Sequence, residues 1–175
     1  MISPSFGRLV VPCLLCLAML SGPAYADGLE DAGKFYKAGQ YDTAMKQVDA
    51  WLTSHPGDAR GRFLKGLILV GEKKPEEAIK VFRKLTEDYP EKPAPYNNLA
   101  VIYASQGRYT MARDELESAI AAYPGYAAAH ENLGDIYARL AQQAYEKAIQ
   151  LGESDARLKE KVELTGHILA KKRQP

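Results

Sequence analysis

The feature that most constrains this 175-residue chain is that it repeats itself every 34 residues. Pro56, Pro90 and Pro124 keep that interval, and Ala44, Ala78 and Ala112 keep it too, each twelve residues before one of the prolines. Gly66, Ala100 and Gly134 form a third series, and Leu69, Tyr103 and Tyr137 a fourth. Four series in one register mean that one local unit is built several times over. Such a unit cannot bury its apolar side alone and must stack on its copies.

The unit is clearest between Pro93 and Pro124. Leu99, Ile102 and Tyr103, then Ala112, Leu116, Ala119 and Ile120, recur at intervals of three and four, the spacing of two amphipathic helices. Gln106-Gly107-Arg108 separates them; Gly107 adopts positive φ at little cost, and Pro124 cannot continue the second helix. Period and pattern together resemble the tetratricopeptide repeat, a helix-turn-helix unit of ~34 residues. The residues that carry the resemblance are Tyr96, Leu99-Ala100, Tyr103, Gly107-Arg108-Tyr109, Ala112, Leu116, Ala119 and Pro124. It implies an all-α fold, a right-handed solenoid of about 3.5–4 helix-turn-helix repeats with a C-terminal capping helix.

The copies lie near 27–58, 59–92, 93–126 and 127–151, with residues 152–175 left for the cap and a basic tail. The first copy is irregular, as terminal repeats of solenoids commonly are: its opening helix reads as short, and Trp51 stands where the family has alanine, reading as a ring over the open end of the stack or as one that meets a ligand. In the second copy Pro75, Glu76 and Glu77 open the second helix favourably. Its first helix is apolar nearly all round, which calls for burial on more than one side or for a partner.

The fourth copy lacks its turn. Tyr103 and Leu116 are thirteen residues apart, but Tyr137 and the matching Tyr145 only eight. No Gly or Pro lies between Gly134 and Gly152, and Leu133, Tyr137, Leu140, Ala144, Ala148 and Leu151 make one stripe, so a single long helix is expected. Gly152 is placed to end it and Ser154 to cap the next, whose apolar positions are Leu158, Val162, Thr165 and Leu169, with Leu164 and Ile168 beside them. That last helix either covers the long one or leaves it to a second chain in a homodimer.

Residues 1–26 read as a cleavable signal peptide: Arg8, an apolar run from Leu9 to Leu20, and the small-x-small Ala24-Tyr25-Ala26. A dozen apolar residues rise roughly 18 Å as a helix, short of a ~30 Å hydrocarbon core, which disfavours a membrane anchor and stable membrane insertion after cleavage. Cys13 and Cys16 have redox-dithiol spacing but lie inside the apolar run and would leave with it. The expected mature chain starts at Asp27, has no thiol, and resides outside the cytoplasm, in a bacterial periplasm.

Removing 26 residues from 175 leaves 149, with 22 basic and 22 acidic side chains once Arg8 is gone. That balance argues against a nucleic-acid partner, which requires a basic excess. The Lys171-Lys172-Arg173 tail reads as a solvated terminus. His55, His130 and His167 are isolated, the pairs Glu76-Glu77, Glu115-Glu117 and Glu160-Glu163 sit among Lys and Arg on helical faces, and no phosphate loop, nucleophile elbow or metal motif appears. Neither an enzyme nor a cofactor is expected.

What the resemblance implies instead is a groove lined by the first helices that holds a protein or peptide partner. By repeat position its residues are Arg60, Phe63 and Leu67, then Asn97, Asn98 and Val101, then Glu131, Asn132 and Asp135. Asn98 and Asn132 share one repeat position, where an amide can grip an extended backbone or serve neighbouring helix groups. Some members of the family clamp a terminal carboxylate with Lys, Arg and Asn; here Phe63, Ala128 and Asn132 occupy the positions around Asn98, so that clamp is missing. Arg60 against Glu131 and Asp135 suggests a partner of mixed charge. The rival reading is a structural protein that associates with itself through the long helix.

Overall fold

A computed structural model describes residues 24–152 and 155–170. The signal-like run with Cys13 and Cys16, the Ser154 cap and the basic tail therefore lie outside the described residues. Among those described, eight helices follow one another without a strand: α1 (Ala24–Lys37), α2 (Tyr41–Ser54), α3 (Ala59–Gly71), α4 (Pro75–Asp88), α5 (Pro93–Ser105), α6 (Tyr109–Ala122), α7 (Ala127–Gln150) and α8 (Ala156–Ala170). Each packs on the next, and α1 also touches α3 as α5 touches α7, so the first helices of neighbouring hairpins lie side by side. This is the expected all-α stack, with contacts confined to near neighbours.

Three turns share one construction. The N–H groups of Gly39, Lys73 and Gly107 donate to the carbonyls of Tyr36, Val70 and Ala104, and those of Gln40, Lys74 and Arg108 to the carbonyls of Phe35, Leu69 and Tyr103. The residue in the middle takes φ of 73°, 59° and 73° in the three turns. This left-handed stop on the helix suits glycine and strains lysine. The sequence pattern exposes it at Gly39 and Gly107 but hides it at Lys73.

The core follows the repeat markers. Ala44, Ala78 and Ala112 are fully buried where helices cross closely, and Phe82, Leu85, Leu99, Tyr103 and Leu116 fill the space between hairpins. The apolar girth of α3 is explained by its place in two clusters: Ile68 packs with Ala32, Ala44 and Val48 on one side, while Leu69 joins Phe82, Leu99 and Tyr103 on the other. Fully burying such a side chain contributes about 1.5–3 kcal/mol. At Gly66 the approach is so close that a Cβ would stand 2.5 Å from the Phe82 ring.

The first repeat opens on α1, which runs from Ala24 to Lys37, so the part that falls within the repeat, from Asp27 on, is shorter than α2. Trp51 has a specific task there. Its Nε1 donates to Asp58 Oδ2 at 2.8 Å, and its ring stacks on His55 at 4.1 Å and would meet a Cβ at Gly61 at 2.9 Å. It therefore braces the α2–α3 corner.

The fourth repeat departs from the others. Residues 127 to 150 form one 24-residue helix through the place where the turn is deleted, and α8 returns along it. Asp155 accepts the Arg157 N–H at 3.0 Å at the start of α8. Leu158, Val162, Thr165 and Leu169 are half-buried and Lys161 Nζ lies 5.4 Å from the centre of the Tyr145 ring, yet no α8 residue is fully buried. Leu164 and Ile168 remain 54% and 58% exposed.

Candidate functional site

The first helices bring the expected groove residues onto α3, α5 and α7. On α5, Ala94, Asn97, Asn98, Val101 and Ser105 recur at three- and four-residue intervals and so form one stripe. Two cavities flank it. One, of about 350 Å³, lies where the starts of α3 and α5 meet and is lined by Ala59, Arg60, Phe63, Leu85, Lys92 and Pro93 to Pro95. The other, of about 190 Å³, lies between α5 and α7 over Leu116 and is lined by Ala100, Val101, Ala104, Asn132, Asp135 and Ile136.

Of the nine residues expected to line the groove, five border these two cavities: Arg60 and Phe63 the first, Val101, Asn132 and Asp135 the second. Phe63 is partly withdrawn into the core, its ring 5.6 Å from Phe82, and Leu67 packs against the same cluster. Asn97 and Asn132 meet across the α5–α7 seam, Asn132 Nδ2 donating to Asn97 Oδ1 at 2.8 Å. Asn98 Nδ2 donates to Ala94 O of its own helix at 2.9 Å, so at least one amide hydrogen serves the helix, as the second of the two readings of Asn98 has it. Glu131 is exposed on α7.

The two ends differ in charge. Arg60 and Lys92 stand at the α3–α5 cavity, Asp135 at the α5–α7 cavity, with Glu131 one turn away on α7. Beside Arg60, Asp58 caps α3 by accepting the Arg60 N–H at 2.9 Å. Burial pushes the Asp58 carboxyl up, but the hydrogen bonds from Trp51 and the Arg60 backbone, with the Arg60 charge, outweigh it and hold the group below the ordinary carboxylate range. No His, Cys, Asp and Glu cluster among the described residues could hold a metal ion, and no helix there is long and apolar enough to cross a membrane.

Sequence reasoning missed Ala100, Ala104 and Ile136, the apolar wall of the second cavity, and Lys92, the second cation of the first. Their common signal was position: each lies within four residues of an expected groove residue or on the loop that opens its helix. It also placed Glu115 on a solvated face, whereas its side chain is 17% exposed, 3.9 Å from Arg83, whose Nη2 donates to Tyr103 Oη at 2.7 Å. Burial pushes the Glu115 carboxyl up, and the Arg83 charge only partly offsets it.

With the geometry in view, the relatives can be placed. No curated protein sequence matches the chain. Among solved structures it is similar to the first TPR domain of human RPAP3 (TM-score 0.62, 17% identity, 69% of this chain and 94% of that one). It is also similar to the MamA protein (TM-score 0.59, 22% identity, 85% of each chain). A third likeness is the second TPR domain of human RPAP3, solved in complex with the HSP70 peptide SGPTIEEVD (TM-score 0.58, 17% identity, 65% of this chain and 94% of that one). These identities establish the shared fold alone. Models of the tetratricopeptide repeat match residues 34–93 and 69–133, together more than half of the chain, which belongs to the tetratricopeptide-repeat family.

Proposed function

We propose that this chain is a non-catalytic interaction module, an adaptor or assembly factor, that holds a protein or peptide partner on the α3–α5–α7 face. Tetratricopeptide repeats generally mediate protein–protein interaction, and a structurally similar domain holds a peptide. The observation that carries the reading is the α5–α7 cavity, an apolar wall with Asn132 and Asp135 at its polar side and Val101 at its mouth, 48% exposed. An apolar recess with a few placed polar groups is what anchors a partner side chain. We place the work outside the cytoplasm, after removal of residues 1–26, on the strength of Arg8, the apolar run and Ala24-Tyr25-Ala26.

A photo-crosslinking residue at Val101 in native extract is expected to capture a discrete partner, while the same group at Lys80, exposed on α4, captures none. Equal capture at both positions, or none at Val101, contradicts the reading. Sequencing of the native amino terminus is expected to begin at Asp27; an intact Met1 overturns the export part. A second reading, self-association through the α7–α8 end, is favoured by the exposure of Tyr137, Leu151, Leu164 and Ile168. Sedimentation of the wild type as a dimer, converted to monomer by Leu164→Asp with Ile168→Asp, would favour it over the groove.

A further inference from the structure

We infer that Glu115 makes the seam between the second and third hairpins a proton-sensitive joint, one that tightens as the solution turns mildly acidic. Glu115 lines neither of the two cavities beside α5. Counting one repeat of 34 residues either way, its counterparts are Val81 of α4 and Ile149 of α7, both half-buried. Val81 packs against the main apolar core. A carboxylate thus occupies a position that the neighbouring copies give to branched apolar side chains, and its side chain is 17% exposed. Withdrawn this far from water, a carboxylate needs close hydrogen bonds or a close cation to stay ionised without cost.

The surroundings supply little of either. From α4, Arg83 Nη2 stands 3.9 Å from Glu115 Oε1, beyond hydrogen-bond length, and donates at 2.7 Å to Tyr103 Oη of α5. Glu87 of α4 draws on the same guanidinium, and Arg108 of the α5–α6 turn lies over the Tyr103 ring, 4.5 Å from its centre. From α5, the half-buried Tyr96 donates to Thr86 O at a long 3.4 Å; burial, then the Glu115 and Glu91 charges, push its phenol up. On α6 itself Asp114 pairs with Arg113 at 2.6 Å. Burial pushes the Glu115 carboxyl up, Arg83 only partly offsets it, and the Asp114 charge adds to the rise. A carboxyl raised in the folded state contributes stability that is fully present below its unfolded value of about 4.3 and is lost as pH rises through the folded value. Protonation therefore favours the closed seam. Asp58 acts in the opposite sense and at lower pH, so the two are separable.

The test is thermal unfolding of the purified full chain from neutral pH down to about pH 4.3, for the wild type, Glu115→Gln, Arg83→Met and the double variant. Differences between the curves cancel the other titrating groups. Glu115→Gln keeps the shape of the side chain and removes its charge. It is expected to melt above the wild type at neutral pH, and the gap is expected to close on acidification. Arg83→Met, at a half-exposed side chain, removes the facing cation. It is expected to lower the midpoint at neutral pH, to recover on acidification, and to cost less in the Gln background, where only the Tyr103 hydrogen bond is lost. NMR of the wild-type Glu115 carboxyl carbon is expected to show proton uptake above the ordinary glutamate range, whether or not any variant folds. A Glu115→Gln chain that melts at or below the wild type at neutral pH, or a gap that holds or widens on acidification, overturns the inference. So does an Arg83→Met cost equal in both backgrounds, or a Glu115 carboxyl that titrates in the ordinary range.

Discussion

The third and fourth repeats begin alike and end differently. Tyr103 and Tyr137 hold the same repeat position, yet Tyr103 is 1% exposed and Tyr137 49%. In the third repeat the Tyr103 ring lies under the guanidinium of Arg108 from the α5–α6 turn, 4.5 Å from its centre, and its Oη accepts from Arg83 of α4 at 2.7 Å; in the fourth the helix runs straight on without that turn, and Tyr137 Oη donates to Glu117 Oε1 at a long 3.3 Å. The small residues of the ladder show the same divergence. A Cβ at Gly66 would strike the Phe82 ring at 2.5 Å, whereas one at Gly134 would meet nothing within 4 Å. A repeat marker thus reports what the ancestral unit needed, and the neighbouring helix decides whether the need persists.

The comparison can be tested by perturbing matched positions. Tyr103→Ala is expected to destabilise by about 3–5 kcal/mol, the range for truncating a buried aromatic, and Tyr137→Ala by less than about 1 kcal/mol. Urea unfolding of the two variants checks this; equal losses would mean that the fourth repeat is closed like the third. Next in size, Gly66→Ala crowds a fully buried ring and should cost about 1–3 kcal/mol. Gly134→Ala, which only improves helix propensity, should stabilise by about 0.5–1 kcal/mol. Thermal melts that shift in the same direction for both would break the contrast.

Helix starts extend the comparison. Asp58, the capping residue of α3, has its counterparts at Lys92 and Tyr126, and neither α5 nor α7 has a side-chain cap. Asp58→Ala is expected to cost about 1–2 kcal/mol at neutral pH. Because the folded-state carboxyl of Asp58 is held below its ordinary range, its contribution is present above the unfolded value of about 3.9. It is lost as pH falls through the folded value. The difference between wild type and variant should therefore shrink on acidification below about pH 4; a difference that grows there contradicts the assignment. The turns supply a matched pair of their own. Lys73→Gly relieves the left-handed lysine of the α3–α4 turn and should stabilise by about 1 kcal/mol, while Gly107→Lys should cost a similar amount.

These pairs also show where sequence ends as a guide. The helices, their stops at Gly39 and Gly107 and the long α7 were legible because they depend on spacing and on residues with narrow backbone roles. The left-handed turn at Lys73 was not, since a strained residue leaves no compositional mark once its neighbours impose the turn. The brace from Trp51 to Asp58 escaped because it joins side chains seven residues apart across a corner, where no helical or strand period applies. In the candidate site, repeat position found the stripe of α5 but not the Asn97–Asn132 bond, which depends on how far one hairpin is rotated against the next. The cavities were illegible for a related reason. They are recesses left by small residues such as Ala100 and Ala104, and an alanine in a list does not say whether a neighbour fills its space.

The claim on which the comparison stands is that the last repeat is one helix, and distance measurement between spin labels tests it most directly. Cysteines introduced at Ala127 and Gln150, the two ends of α7, in a chain whose Cys13 and Cys16 are replaced by serine, would carry the labels. A continuous helix of this length spans about 35 Å between those positions. A turn restored between Tyr137 and Tyr145 would bring them to roughly 10 Å, the spacing of packed helices. The account predicts a single population near the longer distance; a dominant short distance would contradict it.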